Sequence, residues 1–123
     1  MARWIELLYQ STGVTADAET KMTDFTPTKN ATLVGIEIFA GGTAATSLVE
    51  GGYVKLTCPT FGGIDMYAPF WGNGVRTAPA PKVLPNVTSC NVRVIAGTPV
   101  KGYYYYTVAP TTPELMVYGV FEG

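Results

Sequence analysis

The 123-residue chain contains no histidine. That removes the side chain that titrates nearest neutrality, and with it the commonest general base and metal ligand. A Ser–His or Cys–His nucleophile is therefore excluded. The three serines, Ser11, Ser47 and Ser89, stand in no Gly-x-Ser-x-Gly elbow, and no Gly-x-x-x-x-Gly-Lys phosphate loop occurs. Cysteine is nearly absent. Cys58 and Cys90 are too few for a disulfide scaffold and form no Cys-x-x-Cys pair. Charge is scarce as well: 14% of residues are charged, against about a quarter in ordinary domains. Eight basic and nine acidic residues leave a net charge of −1. The basic residues run from Arg3 to Lys101 without a cluster. Neutralising phosphates needs such a cluster, so nucleic acid is not an expected partner. No apolar run is long enough to span a bilayer, and no membrane partner is expected. The opening Met-Ala-Arg-Trp-Ile-Glu is not a signal peptide, so Sec export is not expected unless a leader was removed.

What the chain does have is strand chemistry. Apolar residues make up 47% of a length that suits one domain, residues 1–123, with one core. Ala31 to Ala40 alternates: Val34, Ile36 and Ile38 fall on one side, and Leu33, Gly35, Glu37 and Phe39 on the other. Tyr53 to Cys58 places Val54, Leu56 and Cys58 together, and Val87 to Ile95 places Cys90, Val92 and Val94 together. Arg3 to Tyr9, Tyr103 to Val108 and Leu115 to Phe121 are further strands, with a weaker one around Ile64 to Phe70. Val14 to Phe25 shows no apolar stripe at helical spacing and reads as a loop or short irregular strand. Gly41-Gly42, Gly51-Gly52, Gly62-Gly63, Gly72-Asn73-Gly74 and Gly97-Thr98-Pro99 supply turn chemistry. The Pro-rich stretch Ala78 to Pro85 reads as an extended surface segment. The expected fold is all-β: an antiparallel, jelly-roll-like β-sandwich of seven or eight strands, with Val34, Ile36, Ile38, Val54, Leu56, Val92 and Val94 between the sheets.

The residues offer little for catalysis, and no enzyme is expected. Glu37, Glu50, Asp65 and Glu114 are isolated carboxylates that read as solvent-facing charges rather than a glycosidase pair. Asp17, Glu19 and Asp24 form the one acidic cluster. Its spacing matches no calcium loop and Lys21 sits within it, so no metal and no cofactor is expected. Cys58 and Cys90 read as buried free thiols, since no export is expected, with a bridge between their two strands as the alternative. Asn30-Ala31-Thr32 and Asn86-Val87-Thr88 match the glycosylation sequon, as a Thr-rich chain does by chance.

Aromatics are the informative feature. In a strand, Tyr103, Tyr104, Tyr105 and Tyr106 send two rings to each face. Phe61, Tyr67, Phe70 and Trp71 crowd one loop region. With so little charge to solvate a small domain, aromatic and apolar surface is expected to be covered by neighbouring subunits. The expected contact residues are Trp4, Tyr67, Phe70, Trp71, Tyr103, Tyr104, Tyr105 and Tyr106, together with the Ala78 to Pro85 segment. The alternative from another class is a carbohydrate-binding module that uses these rings as a stacking platform. A subunit of a non-viral extracellular filament is a third reading.

A compact Thr/Gly/Pro-rich β domain of low charge, without histidine, whose terminal strand reads Met116-Val117-Tyr118-Gly119-Val120-Phe121, resembles the small single-jelly-roll coat and decoration proteins of bacterial and archaeal viruses. The resemblance extends over most of the chain and rests on this overall character. It implies a virion location, self-association into a homo-oligomer and docking on other capsid proteins. At this length it points to a decorating or minor shell component rather than a major capsid protein.

Overall fold

The computed structural model describes residues 2–11, 18–41, 51–71, 86–106 and 114–123. Among these residues eight strands follow one another: β1 (Arg3–Ser11), β2 (Thr20–Lys21), β3 (Ala31–Gly41), β4 (Gly51–Thr57), β5 (Met66–Trp71), β6 (Asn86–Val94), β7 (Lys101–Tyr106) and β8 (Glu114–Glu122). A 3₁₀ turn, Pro59–Phe61, lies between β4 and β5. The strands form two antiparallel four-stranded sheets, in the orders β1-β8-β3-β6 and β2-β7-β4-β5. Of the expected irregular stretch Val14 to Phe25, the described part contains the two-residue β2 and a single bridge from Phe25 to Val100.

The pairing has a simple plan. Arg3 faces Glu122, Thr20 faces Tyr104, Phe25 faces Val100, Leu33 faces Val92 and Leu56 faces Met66. The chain is thus one long hairpin doubled back near Gly62 and Gly63. These two residues have φ of 75° and 85°, a conformation that costs glycine nothing. The hairpin is then folded over so that β8 also pairs with β3, and β7 with β4.

The two inner faces meet in one core. The first sheet supplies Leu33, Ile36, Ile38, Val92, Val94, Leu115, Val117 and Phe121, and the second Val54, Leu56, Ala68, Phe70 and Tyr104. Met22, Cys58, Phe61 and Val100 join the same cluster from the connections. The described residues contain no buried polar or charged side chain. Gly52 is needed in β4 because a Cβ there would overlap the carbonyl oxygen of Tyr105 on β7.

Bulges set which residues reach this core. Leu33 and Gly35 face the adjacent residues Phe121 and Val120 of β8, so Val34 is an extra residue with no partner on that strand. The side-chain alternation therefore changes phase at Val34. Val34, expected in the core, is only half-buried, while Leu33, expected on the opposite face, is 1% exposed. The other six expected core residues, Ile36, Ile38, Val54, Leu56, Val92 and Val94, are buried. A second bulge makes Leu8 the extra residue of β1, between Leu7 opposite Tyr118 and Tyr9 opposite Val117. Leu8 and Tyr9 both pack on the core, while Ile5 and Leu7 point outward, 58% and 44% exposed.

Candidate functional site

Among the described residues no charged side chain is buried and no cluster of metal-binding side chains occurs, and the charged and polar side chains they carry stand largely on the two outer sheet faces. On the first sheet, rows run directly across the strands. Arg3, Glu122, Thr32 and Arg93 form the row at one end, with Arg3 Nη2 2.7 Å from Glu122 Oε2. The next row is Ile5, Val120, Gly35 and Ser89, followed by Leu7, Tyr118, Glu37 and Val87, and then Met116 beside Phe39. Phe39 packs edge-on against Tyr118 at 5.7 Å. Ile5, Leu7 and Val87 are well exposed, and Val120, Tyr118, Met116 and Phe39 are half-buried. The middle of this face is therefore an apolar strip across β1 and β8 to Phe39 of β3, with Glu37 set between Tyr118 and the exposed Val87 of β6, where period-two alternation would ordinarily place polar residues.

The outer face of the second sheet differs in kind. Tyr67, Lys55, Tyr103 and Lys21 lie in one row, and Pro69, Tyr53 and Tyr105 in the next. Tyr53 stacks on Tyr105 (5.4 Å, 9°) and meets Tyr67 at the same separation but tilted by 58°. Lys55 Nζ lies 4.6 Å from the centre of the Tyr103 ring, an electrostatically favourable placement. Glu19, just before β2, ties the rows together. Its carboxylate accepts a 2.6 Å hydrogen bond from the Tyr53 hydroxyl and a 2.9 Å bond from Lys55 Nζ. These two bonds hold the Glu19 carboxyl below its ordinary pKa. The bond to Glu19 raises Tyr53 and Lys55 above theirs.

The expected contact residues divide between surface and interior. Tyr67, Tyr103 and Tyr105 lie together on the second sheet's outer face. Phe70 and Tyr104 do not belong to any outer surface: they are 1% and 3% exposed and pack in the core, because each is one step out of phase with its outward neighbours. Trp4 is half-buried, stacked on Phe121 at 5.7 Å with Lys29 Nζ 4.0 Å over its ring. Trp71 and Tyr106 end β5 and β7, and their side chains lie outside the described residues, as does the segment 78–85. Tyr67 and Phe70 occupy strand β5, which matches the weaker strand expected around Ile64 to Phe70, and not a loop. This strand admits Pro69 because it is the edge of its sheet. Sequence reasoning missed the Glu19–Tyr53–Lys55 group. The alternation of Tyr53 and Lys55 with Val54 and Leu56 already placed both on one outward face, but nothing local announces a partner more than thirty residues away.

The remaining candidates stay apart. Glu37 sits on the first sheet and Asp65 in the connection leading to β5 of the second. Glu50 and the side chain of Glu114 lie outside the described residues, as does Asp17. Asp24 pairs with Lys21 and Glu19 with Lys55, so the local acidic cluster is turned onto lysines. Cys58 and Cys90 are free thiols. Cys58 Sγ lies 3.1 Å from Thr60 Oγ1, and Cys90 donates to the Leu33 carbonyl at 3.4 Å, its pKa pushed up to about 11 by burial. An open hollow of about 360 Å³, lined by Cys58, Pro59, Ile64, Asp65 and Lys101 among others, lies beside the 3₁₀ turn. No helix among the described residues is long and apolar enough to cross a membrane. No family model, curated protein or solved structure matches the chain.

Proposed function

We propose that this chain is a structural, non-catalytic subunit of a viral shell, a capsid-decorating or minor coat protein that associates with copies of itself and with other capsid proteins. One observation carries the reading: the apolar strip on the outer face of the first sheet, where Ile5, Leu7 and Val87 stand exposed beside Tyr118, Phe39 and Met116. Monomers generally keep such patches small. A stable interface buries on the order of 800 Å² per partner. The strand plan supports the reading. Pairing β1 with β8, β2 with β7, β3 with β6 and β4 with β5 is the pattern of a hairpin rolled into a jelly roll, an architecture common in viral capsid domains and shared with lectins and cupins.

The test is sedimentation of the purified protein, with Leu7→Lys as the informative variant. Leu7 is 44% exposed, so lysine there leaves the core intact while placing a charge in the strip. The wild type is expected to sediment as an oligomer and the variant as a folded 13.1 kDa monomer. A wild type that stays monomeric at high concentration refutes the proposal. Glycosidase turnover abolished by Glu37→Gln or Glu114→Gln would refute its non-catalytic part.

A further inference from the structure

The second sheet's outer face lacks the aliphatic strip of the first and consists of phenol rings, ammonium groups and carboxylates. Its lysines at 21 and 55 are matched from within, Lys55 by Glu19 and Lys21 by Asp24, and the exposed Lys101 and Asp65 at its margin add one charge of each sign, so the face carries no net charge. A polyanion or polycation would have to break those pairs, so charge complementarity favours an uncharged partner. The rings favour a partner with apolar C–H faces. The polar groups keep donors and acceptors beyond those already bonded. An ammonium carries three protons, of which Lys55 gives one to Glu19, and a carboxylate has about four lone-pair sites, of which Glu19 uses two. Apolar faces edged by hydroxyls that both donate and accept are the chemistry of a sugar ring.

From these observations we infer that this face binds an uncharged oligosaccharide, with Tyr67 as the stacking ring and Glu19, Tyr53 and Lys55 as its hydrogen-bonding wall. Tyr67 is the ring suited to stacking, because it lies on the edge strand and is 52% exposed. Tyr53 and Tyr105 already cover one another, and the ammonium of Lys55 lies over Tyr103. Glu19 fixes Tyr53 and Lys55 before any ligand arrives, which lowers the entropy lost on binding. Four strands at about 4.8 Å spacing make a platform roughly 14 Å wide, enough for two or three sugar units. The inference does not rest on the shell reading, since it uses the opposite sheet.

The test is titration of the ¹⁵N-labelled full chain with maltohexaose, cellohexaose, mannohexaose and N-acetylated chitohexaose, with a hyaluronan hexasaccharide as the anionic counterpart. At least one neutral sugar is expected to shift the amide signals around Tyr53, Lys55, Tyr67 and Tyr105. Tyr67→Ala and Glu19→Gln are expected to weaken that binding about tenfold or more, and Leu7→Lys to leave it unchanged. Three titration results overturn the inference: no shifts with any neutral sugar at millimolar concentration, binding that survives Tyr67→Ala, or preference for the anionic sugar. Shifts at these residues on simple dilution, without sugar binding, would make the face a contact between copies and overturn it equally.

Discussion

The bulge at Val34 makes a prediction that simple alternation cannot. Without it, Val34, Ile36 and Ile38 are equivalent core positions and Leu33 is external. With it, Leu33 and Ile36 share the core, at 1% and 0% exposure, while Val34 does not. Truncating Ile36 or Leu33 to alanine removes three buried carbons, about 2.4 kcal/mol at roughly 0.8 kcal/mol each. The cavity left behind raises the cost to about 3–4 kcal/mol. Val34→Ala removes two carbons from a half-buried site that seals no cavity, so about 0.8 kcal/mol is expected. For a domain of this size, each kcal/mol lowers the melting temperature by about 3–5 °C. Ile36→Ala and Leu33→Ala should therefore melt about 10 °C or more below wild type, and Val34→Ala within about 4 °C of it. The assay is urea and thermal denaturation of the four proteins at one protein concentration, since any self-association makes the midpoint concentration-dependent. A Val34→Ala cost equal to that of Ile36→Ala, with a mild Leu33→Ala, would refute the bulged register.

Gly52→Ala should prevent soluble expression or cost several kcal/mol, because its Cβ has no space beside the Tyr105 carbonyl; a near-wild-type denaturation curve would contradict this. The Glu19 carboxyl is held below its ordinary value of 4.5, so its share of the stability is present above that pH and is lost as pH falls through its lowered value. Tyr53 and Lys55 are raised from 10.0 and 10.5, so their share is present below pH 10 and is lost as pH rises through their raised values. Glu19→Gln should flatten both limbs slightly in a urea midpoint measured against pH, and unchanged limbs would rule out the network. With a pKa of about 11, against 9.0 for an ordinary thiol, Cys90 should alkylate at pH 8 about a hundredfold more slowly than an unhindered thiol. Peptide mass spectrometry after iodoacetamide treatment reads this directly, and rapid labelling would refute it.

Most strands were legible from period-two alternation, because one face of each is buried and the other is not. β4, β6 and β8 follow that rule along their described lengths, and their core residues are those that alternation selects. β1 and β3 break it. Leu8 and Val34 are ordinary strand residues, and nothing in their local sequence marks them as the extra member of a ladder whose other strand lies some eighty or more residues away. The same distance hides the Glu19–Tyr53–Lys55 group. The run Tyr103 to Tyr106 shows the limit of composition: four identical residues announce aromatic surface, but only strand phase separates Tyr104 in the core from Tyr103 and Tyr105 outside.

The doubled hairpin also sets how the domain responds to force. Ala2 and Gly123 exchange both backbone hydrogen bonds, at 3.1 and 3.0 Å, and β1 and β8 run antiparallel from that point. Antiparallel ladder bonds lie across the strands. A pull that separates these two ends therefore loads the bonds one pair at a time, starting with Ala2–Gly123 and Arg3–Glu122, and peels β1 away at low force. The Gly62–Gly63 apex lies at this same end of the sandwich, where the Thr60 hydroxyl donates to the Arg93 carbonyl at 2.6 Å, in the row shared by Arg3, Glu122 and Thr32. Only a pull along the strands, from Ala2 toward Leu115, must shear many β1–β8 pairs together, so the domain is soft across its strands and stiff along them.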